Sequence, residues 1–274
     1  MQQKNKDQKD NIPKSSLSGN TYKDFNKICR AYYDELMHVS KSDSPSLSKN
    51  DILILNDLIN EIVAYSNELI KLNFIQEAKK ILDIGLVISD FLLKIFGEMF
   101  ENQNTNKNNL VEKLKFPLSL KLLLLESNFN IIFKYEKDYI NCEKNLNEII
   151  EVQLYLQSSN ENVSSSKFYM GIIKYHLNKY DEALKYVLEA KNLLENLGVD
   201  NSCNKGVDED RKVEKISNIL NFLAELYRIG NDTKNAISCY ENGYYLNLGR
   251  IGGKNLNKDY FKKKLDELNE ELKG

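Results

Sequence analysis

Along most of the chain apolar residues return at intervals of three and four, the period of a helix with one buried face. In TYKDFNKICRAYYDELM, from Thr21, the residues Tyr22, Phe25, Cys29, Tyr32 and Leu36 form one stripe, flanked by Ile28 and Tyr33. This spacing predicts a first helix. The same period predicts helices over 50–71, 75–100, 118–136, 139–157, 166–178, 181–196, 213–229, 233–249 and 258–272. No stretch beyond residue 20 alternates with the two-residue period of a strand over a useful length. The expected fold is all-α, with antiparallel helix pairs stacked into a curved bundle that has a concave groove. Breaks fall where Asn, Gly, Ser and Pro cluster, and three long ones predict surface loops over 101–116, 158–165 and 197–212.

The helix pairs share a register. Ala78, Cys142, Ala183 and Ala236, near the starts of four second helices, align with Ser66, Asn130, Gly171 and Ala224 twelve positions earlier. Small residues at both places predict close approach of the paired helices. Leu82, Leu146, Val187 and Tyr240 follow four positions later. The segment FYMGIIKYHLNKYDEALKYVLEA, from Phe168, resembles a tetratricopeptide repeat. The intervals between aligned positions are 64, 41 and 53 residues, whereas that family repeats about every 34, so a regular array is not expected.

With 274 residues, 42% of them hydrophobic, the chain has ample material for a core. Its 38 basic and 40 acidic residues leave a net charge of −2, no global reason to expect a nucleic-acid or membrane partner. The amino-terminal MQQKNKDQKDNIPKSSLSGN lacks an apolar run and reads as a disordered polar tail over 1–20, followed by a single helical domain over 21–274. The most apolar run, ILDIGLVISDFLLKIF from Ile81, is interrupted by Asp83, Asp90 and Lys94 and falls short of the roughly 20 residues of a membrane span. It reads as a buried helix.

Chemistry is sparse. Cys29, Cys142, Cys203 and Cys239 are scattered without a CxxC pair, and the histidines are only His38 and His176. That pattern argues against a zinc site or a disulfide framework and suits a reducing, cytoplasmic setting. GRIGGKN, from Gly249, lacks the spacing of a phosphate loop, and no HExxH or GxSxG is present. No catalytic residue, metal ligand or cofactor site is expected, and a stack of helix pairs predicts a protein that binds other proteins.

The segment ILNFLAELYRIGNDTKNA, from Ile219, resembles the 14-3-3 family of dimeric, all-helical adaptors. SSSKFYMGIIKYHLNKY from Ser164, NKDYFKKKLDELNEEL from Asn257, and YKDFNKICRA followed by LSKND extend the resemblance to other helices of that family. The chain departs from it in having no Trp, in carrying ILILNDLINEI where the family has a signature helix, and in additional sequence between Leu72 and Lys134. The resemblance implies a non-enzymatic signalling adaptor that binds phosphoproteins or acidic peptide segments, and a homodimer formed through residues 22–71. In the family a Lys, two Arg and a Tyr hold phosphate, and two Asn hold the peptide backbone. Carried onto this sequence, the backbone asparagines are Asn221 and Asn269. Lys179 and Tyr180 fall in the phosphate pocket, while the basic positions of the third helix become Asn60 and Asn67 and a family glutamate becomes Arg228. Replacing charges by amides predicts a degenerate phosphate pocket. The other reading is an irregular tetratricopeptide-repeat scaffold that binds an unphosphorylated partner tail or helix.

Overall fold

The computed structural model of the chain describes residue 27 and residues 49–101, 107–196, 207–248 and 258–272. The predicted tail and the first helix, apart from Lys27, lie outside the described residues. Among the described residues all regular structure is helical: α1 (Lys49–Lys71), α2 (Ile75–Glu101), α3 (Lys107–Ile131) with a π-helical last turn (Ile132–Glu136), α4 (Tyr139–Tyr155), α5 (Asn160–His176), α6 (Tyr180–Glu195), α7 (Val207–Ile229), α8 (Thr233–Leu246) and α9 (Lys258–Glu271).

The chain divides into two compact units, Met1–Leu120 and Lys121–Gly274. In the first unit α1 packs against α2, burying Leu55, Ile59, Ile62 and Leu69 of one helix and Ala78, Ile81, Leu82 and Ile88 of the other. In the second, every helix from α4 to α9 packs on its neighbour in sequence. Its core gathers Ala183, Val187 and Leu194 of α6, Ile219, Leu223 and Ala224 of α7, Tyr240 of α8 and Phe261 of α9.

One turn design recurs. Asn73, Lys137, Gln157, Asn178 and Asn231 all have positive φ and end helices without glycine. After α1, α4, α5 and α7 two crossed bonds close the helix, as where Asn178 N donates to Tyr175 O (2.9 Å) and Lys179 N to Lys174 O (2.8 Å). These bonds satisfy carbonyls that the helix itself leaves free. The next helix starts at once. Asp138 accepts from Asn141 N (3.1 Å) and Asp232 from Asn235 N (3.2 Å), the same Asp-x-x-Asn cap at two places. Short turns of this kind hold consecutive helices antiparallel.

Three loop boundaries differ from the sequence reading. The loop expected over 101–116 is helical from Lys107, and α3 runs through Pro117. The serine-rich 158–165 is the beginning of α5, capped by Ser159, whose Oγ accepts from Asn162 N (3.3 Å). Its serines are absorbed within the helix: Ser165 Oγ bonds Glu161 O (2.9 Å), and the buried Ser164 Oγ bonds Ala190 O of α6 (2.7 Å). The loop expected over 197–212 is helical from Val207, and 197–206 lie outside the described residues.

The small-residue register holds in three pairs. Ser66 with Ala78, Gly171 with Ala183, and Ala224 with Ala236 are all buried. It fails at Asn130, which is exposed opposite the buried Cys142. Between α5 and α6 the approach is close. A Cβ on Gly171 would stand 2.3 Å from Val187 Cγ2 and 3.2 Å from the Ala183 carbonyl oxygen. Neither neighbour yields readily, since a β-branched side chain in a helix has one preferred rotamer. Gly171→Ala is therefore expected to cost about 1–3 kcal/mol by overpacking, measured by urea unfolding, with partial recovery when Val187→Ala is added. Lys137→Gly, which removes a Cβ from a left-handed position, should stabilise by about 0.5–1 kcal/mol in the same assay.

Candidate functional site

Five of the seven residues singled out in the sequence lie in the second unit. Helical spacing places Asn221 and Arg228, seven residues apart, on one side of α7. Both reach α9: Tyr260 Oη donates to Asn221 Oδ1 (2.9 Å), and Arg228 Nη2 stands 3.2 Å from Glu271 Oε1. A second carboxylate, Glu225, is 3.6 Å from Arg228 Nη1 and accepts from the buried Tyr240 hydroxyl (2.6 Å). Burial opposes the guanidinium charge, but Glu225 and Glu271 outweigh it and raise the Arg228 pKa. Asn269, also on α9, is exposed.

Lys179 and Tyr180 occupy the tight turn between α5 and α6. Lys179 is the N-cap residue of α6 and, unlike Asp138, Ser159 and Asp232, caps without a side-chain bond. Its ammonium lies 3.5 Å from Glu143 of α4. Tyr180 is exposed, and its hydroxyl donates to Asn178 Oδ1 (3.1 Å). Asn60 and Asn67 are exposed on α1 in the first unit, and Asn60 Nδ2 donates to Asn56 O (2.9 Å).

Two features escaped the sequence reading. One is a run of touching rings. Tyr180 meets Tyr175 (5.7 Å between centroids), Tyr175 meets Phe222 (5.6 Å), Phe222 meets Phe168 (5.8 Å), and Phe168 meets Tyr169 (6.3 Å), whose ring touches Phe129 and Phe133. The run links the residue after Asn221 to Tyr180. The aromatic content of FYMGIIKY was visible, but the pairing across α3, α5 and α7 needed the fold. His176, expected as a helix-terminal residue, sits in the last turn of α5 with its ring stacked on Tyr139 at 4.3 Å.

The other feature is a buried ion cluster beneath the α5–α6 turn. Lys174, with a side chain 8% exposed, pairs with Glu143 (2.7 Å) and with Glu182. Burial alone would lower the Lys174 pKa; the hydrogen bonds to the two carboxylates outweigh it and raise it. The bond from Lys174 holds Glu143 below the usual carboxylate range. Lys179 thus shares its carboxylate partner with a buried lysine. Elsewhere, burial pushes the Cys142 thiol up to about 12 and the Cys239 thiol up to about 11, and both are free.

Among the described residues no group of three or more His, Cys, Asp or Glu is placed to hold a metal ion. Among the described residues one helical stretch, Leu114–Glu136, is long and apolar enough to cross a membrane, and its Leu124, Leu125, Phe129, Ile131 and Ile132 are buried inside the protein.

Fold and site together define an all-helical protein built of neighbouring helix pairs. No family model matches the chain, and no curated protein matches it. Among solved structures it is similar to BtubC (BKLC) from P. vanneervenii, with 13% identity and a TM-score of 0.44 over 84% of this chain and 94% of that one.

The ion cluster yields two expectations. Lys174→Ala should cost about 1–3 kcal/mol, the range for lost hydrogen bonds to charged groups, because Glu143 and Glu182, left without it, keep contact with water. A depressed carboxylate pKa stabilises the fold above its unfolded value and loses that contribution on acidification. Glu143 should therefore contribute to a fall in stability below roughly pH 5, and Glu143→Gln should flatten that part of the urea-midpoint profile.

Proposed function

We propose that the protein is a non-enzymatic adaptor whose second unit binds phosphorylated or acidic segments of partner proteins, with a degenerate phosphate pocket. The observation that carries this reading is the pairing of Asn221 and Arg228 on one side of α7, each held by an α9 side chain. Their separation along the helix is about 10 Å, the reach of three extended residues. Glu271 is 57% exposed on its side chain, so an anionic group can replace it on Arg228. Asn221, with its Oδ1 held by Tyr260, has its amide N–H groups to offer a peptide carbonyl.

The same contacts account for reduced phosphate selectivity. Arg228 and Lys179 already face carboxylates at 3.2 and 3.5 Å. A phosphate must exchange with Glu271 or Glu143 rather than enter an unpaired cationic pocket, so most of the Coulombic gain is cancelled. The adaptor is further proposed to act in the cytoplasm as a homodimer through residues 22–71. Of that span, residues 22–26 and 28–48 lie outside the described residues. The neutralised cations also favour a second reading, an irregular tetratricopeptide-type scaffold that takes an unphosphorylated tail or helix against the ring run.

Calorimetric titration of the full chain with a phosphoserine peptide and its unphosphorylated form separates the two. The adaptor reading expects tighter binding of the phosphopeptide, loss of most of that binding in Asn221→Ala, and a gain of several-fold in Glu271→Gln as Arg228 loses the nearer of its two carboxylates. Equal affinities would select the scaffold reading, and absence of binding to either peptide would remove both. Light scattering at micromolar concentration should give a dimer that survives dilution.

A further inference from the structure

Away from that face, α3, α4 and α5 enclose a cleft of about 260 Å³ within the second unit. This is smaller than the roughly 300–1,000 Å³ of small-molecule pockets and suits one long side chain. Leu146 and Ile149 supply apolar wall, Tyr169 an exposed ring, and Glu126 and Gln153 polar groups.

Gln153 is the unusual member. The residue is 2% exposed, it lines the cleft, and its Oε1 has no hydrogen-bond partner. A buried acceptor left unpaired costs about 1–3 kcal/mol, so a donor supplied from outside would recover that loss. Its Nε2 makes a long bond of 3.4 Å to Glu126 Oε1. Glu126 itself is exposed, and among the described residues it forms no ion pair. Burial raises its pKa against the lowering effect of the Gln153 bond. The nearby charges are already balanced: Lys121 pairs with Glu148 (2.5 Å), and Lys215, which reaches the cleft residue Ser165 at 3.1 Å, pairs with Glu161 (2.7 Å). What the cleft lacks is a cation with several donors.

We propose that this cleft binds the guanidinium of an arginine side chain from a partner polypeptide, between the Glu126 carboxylate, the Gln153 amide oxygen and the Tyr169 ring. A planar fork of five donors serves two acceptors at once and stacks on an aromatic face, which an ammonium does less well. Rotation of the Gln153 terminal amide about a soft torsion gives up the long Nε2 bond to Glu126 and turns the oxygen toward the ligand. The site does not depend on the peptide reading above.

The test is an NMR titration of the isotope-labelled full chain with acetyl-arginine amide, acetyl-citrulline amide and acetyl-lysine amide. Arginine should shift the Gln153 side-chain amide and the Tyr169 ring signals saturably, with citrulline, its uncharged counterpart, at least about tenfold weaker. Lysine should fall between them. Glu126→Gln, a change at an exposed position, should weaken arginine about tenfold. Gln153→Met should abolish the response while leaving the urea midpoint unchanged or higher, since it replaces an unpaired buried amide by an apolar group of similar shape. No saturable shift with arginine, equal binding of citrulline, or undiminished binding by Glu126→Gln would overturn the proposal. A free arginine-like metabolite as the true ligand would appear as tighter binding of unblocked arginine than of the doubly blocked form, and would overturn the partner-polypeptide assignment.

Discussion

At Gly171 the α5 helix lies against α6 with no room for a single methyl group. Much else depends on that separation. It brings Ser164 Oγ within 2.7 Å of the Ala190 carbonyl and lets Lys174 reach Glu182 across the turn. With α5 drawn down on α6, the two half-buried rings Phe168 and Tyr175 meet Phe222 of α7 edge-on. Backbone contact at small residues therefore sets the position of the larger groups above it. Dispersion between closely packed atoms supplies part of the cohesion, and the tight turn with Asn178 at positive φ fixes the direction.

Among the described residues of the second unit, the cations nearest the candidate sites are held by carboxylates. Lys167 pairs with Glu189, Lys174 with Glu143 and Glu182, Lys215 with Glu161, and Arg228 with Glu225 and Glu271. Each such pair attracts an anionic partner weakly at long range, because opposite charges a few ångström apart cancel beyond the screening distance. Under the proposed reading, recognition operates by exchange of one carboxylate for another acidic group, and specificity comes from geometry more than from net charge. The cleft around Gln153 is the opposite case, with acceptors in excess of donors.

Helical class, the helix pairs and most of the buried positions were legible from period alone. Ala78, Ala183, Ala224 and Ala236 were assigned to close crossings and all are fully buried there. Boundaries were less legible where polar residues do helical work. Serines near 159–166 looked like a loop because their usual role is to compete with the backbone; here one caps α5 and another bonds a neighbouring helix. Pro117 stood just before the expected helix over 118–136 and is an interior residue of α3. At the candidate site, the identities of Asn221 and Arg228 were readable but their partners were not. Tyr260 and Glu271 lie 39 and 43 residues farther on, and nothing in local periodicity announces such contacts. Asn130 was aligned as a close-packing residue and instead lines an open cleft, two residues before the π turn of Ile132–Glu136.

The two buried thiols give the fold an internal timer. With pKa values near 12 and 11, Cys142 and Cys239 hold almost no thiolate at neutral pH and lie beneath packed helices. An alkylating reagent can consume either one only after its helix has opened, because the thiolate is the reacting species. The two residues sit on α4 and α8, near opposite ends of the neighbour-to-neighbour helix order. Their separate labelling rates would distinguish a second unit that opens all at once from one that unzips from an end.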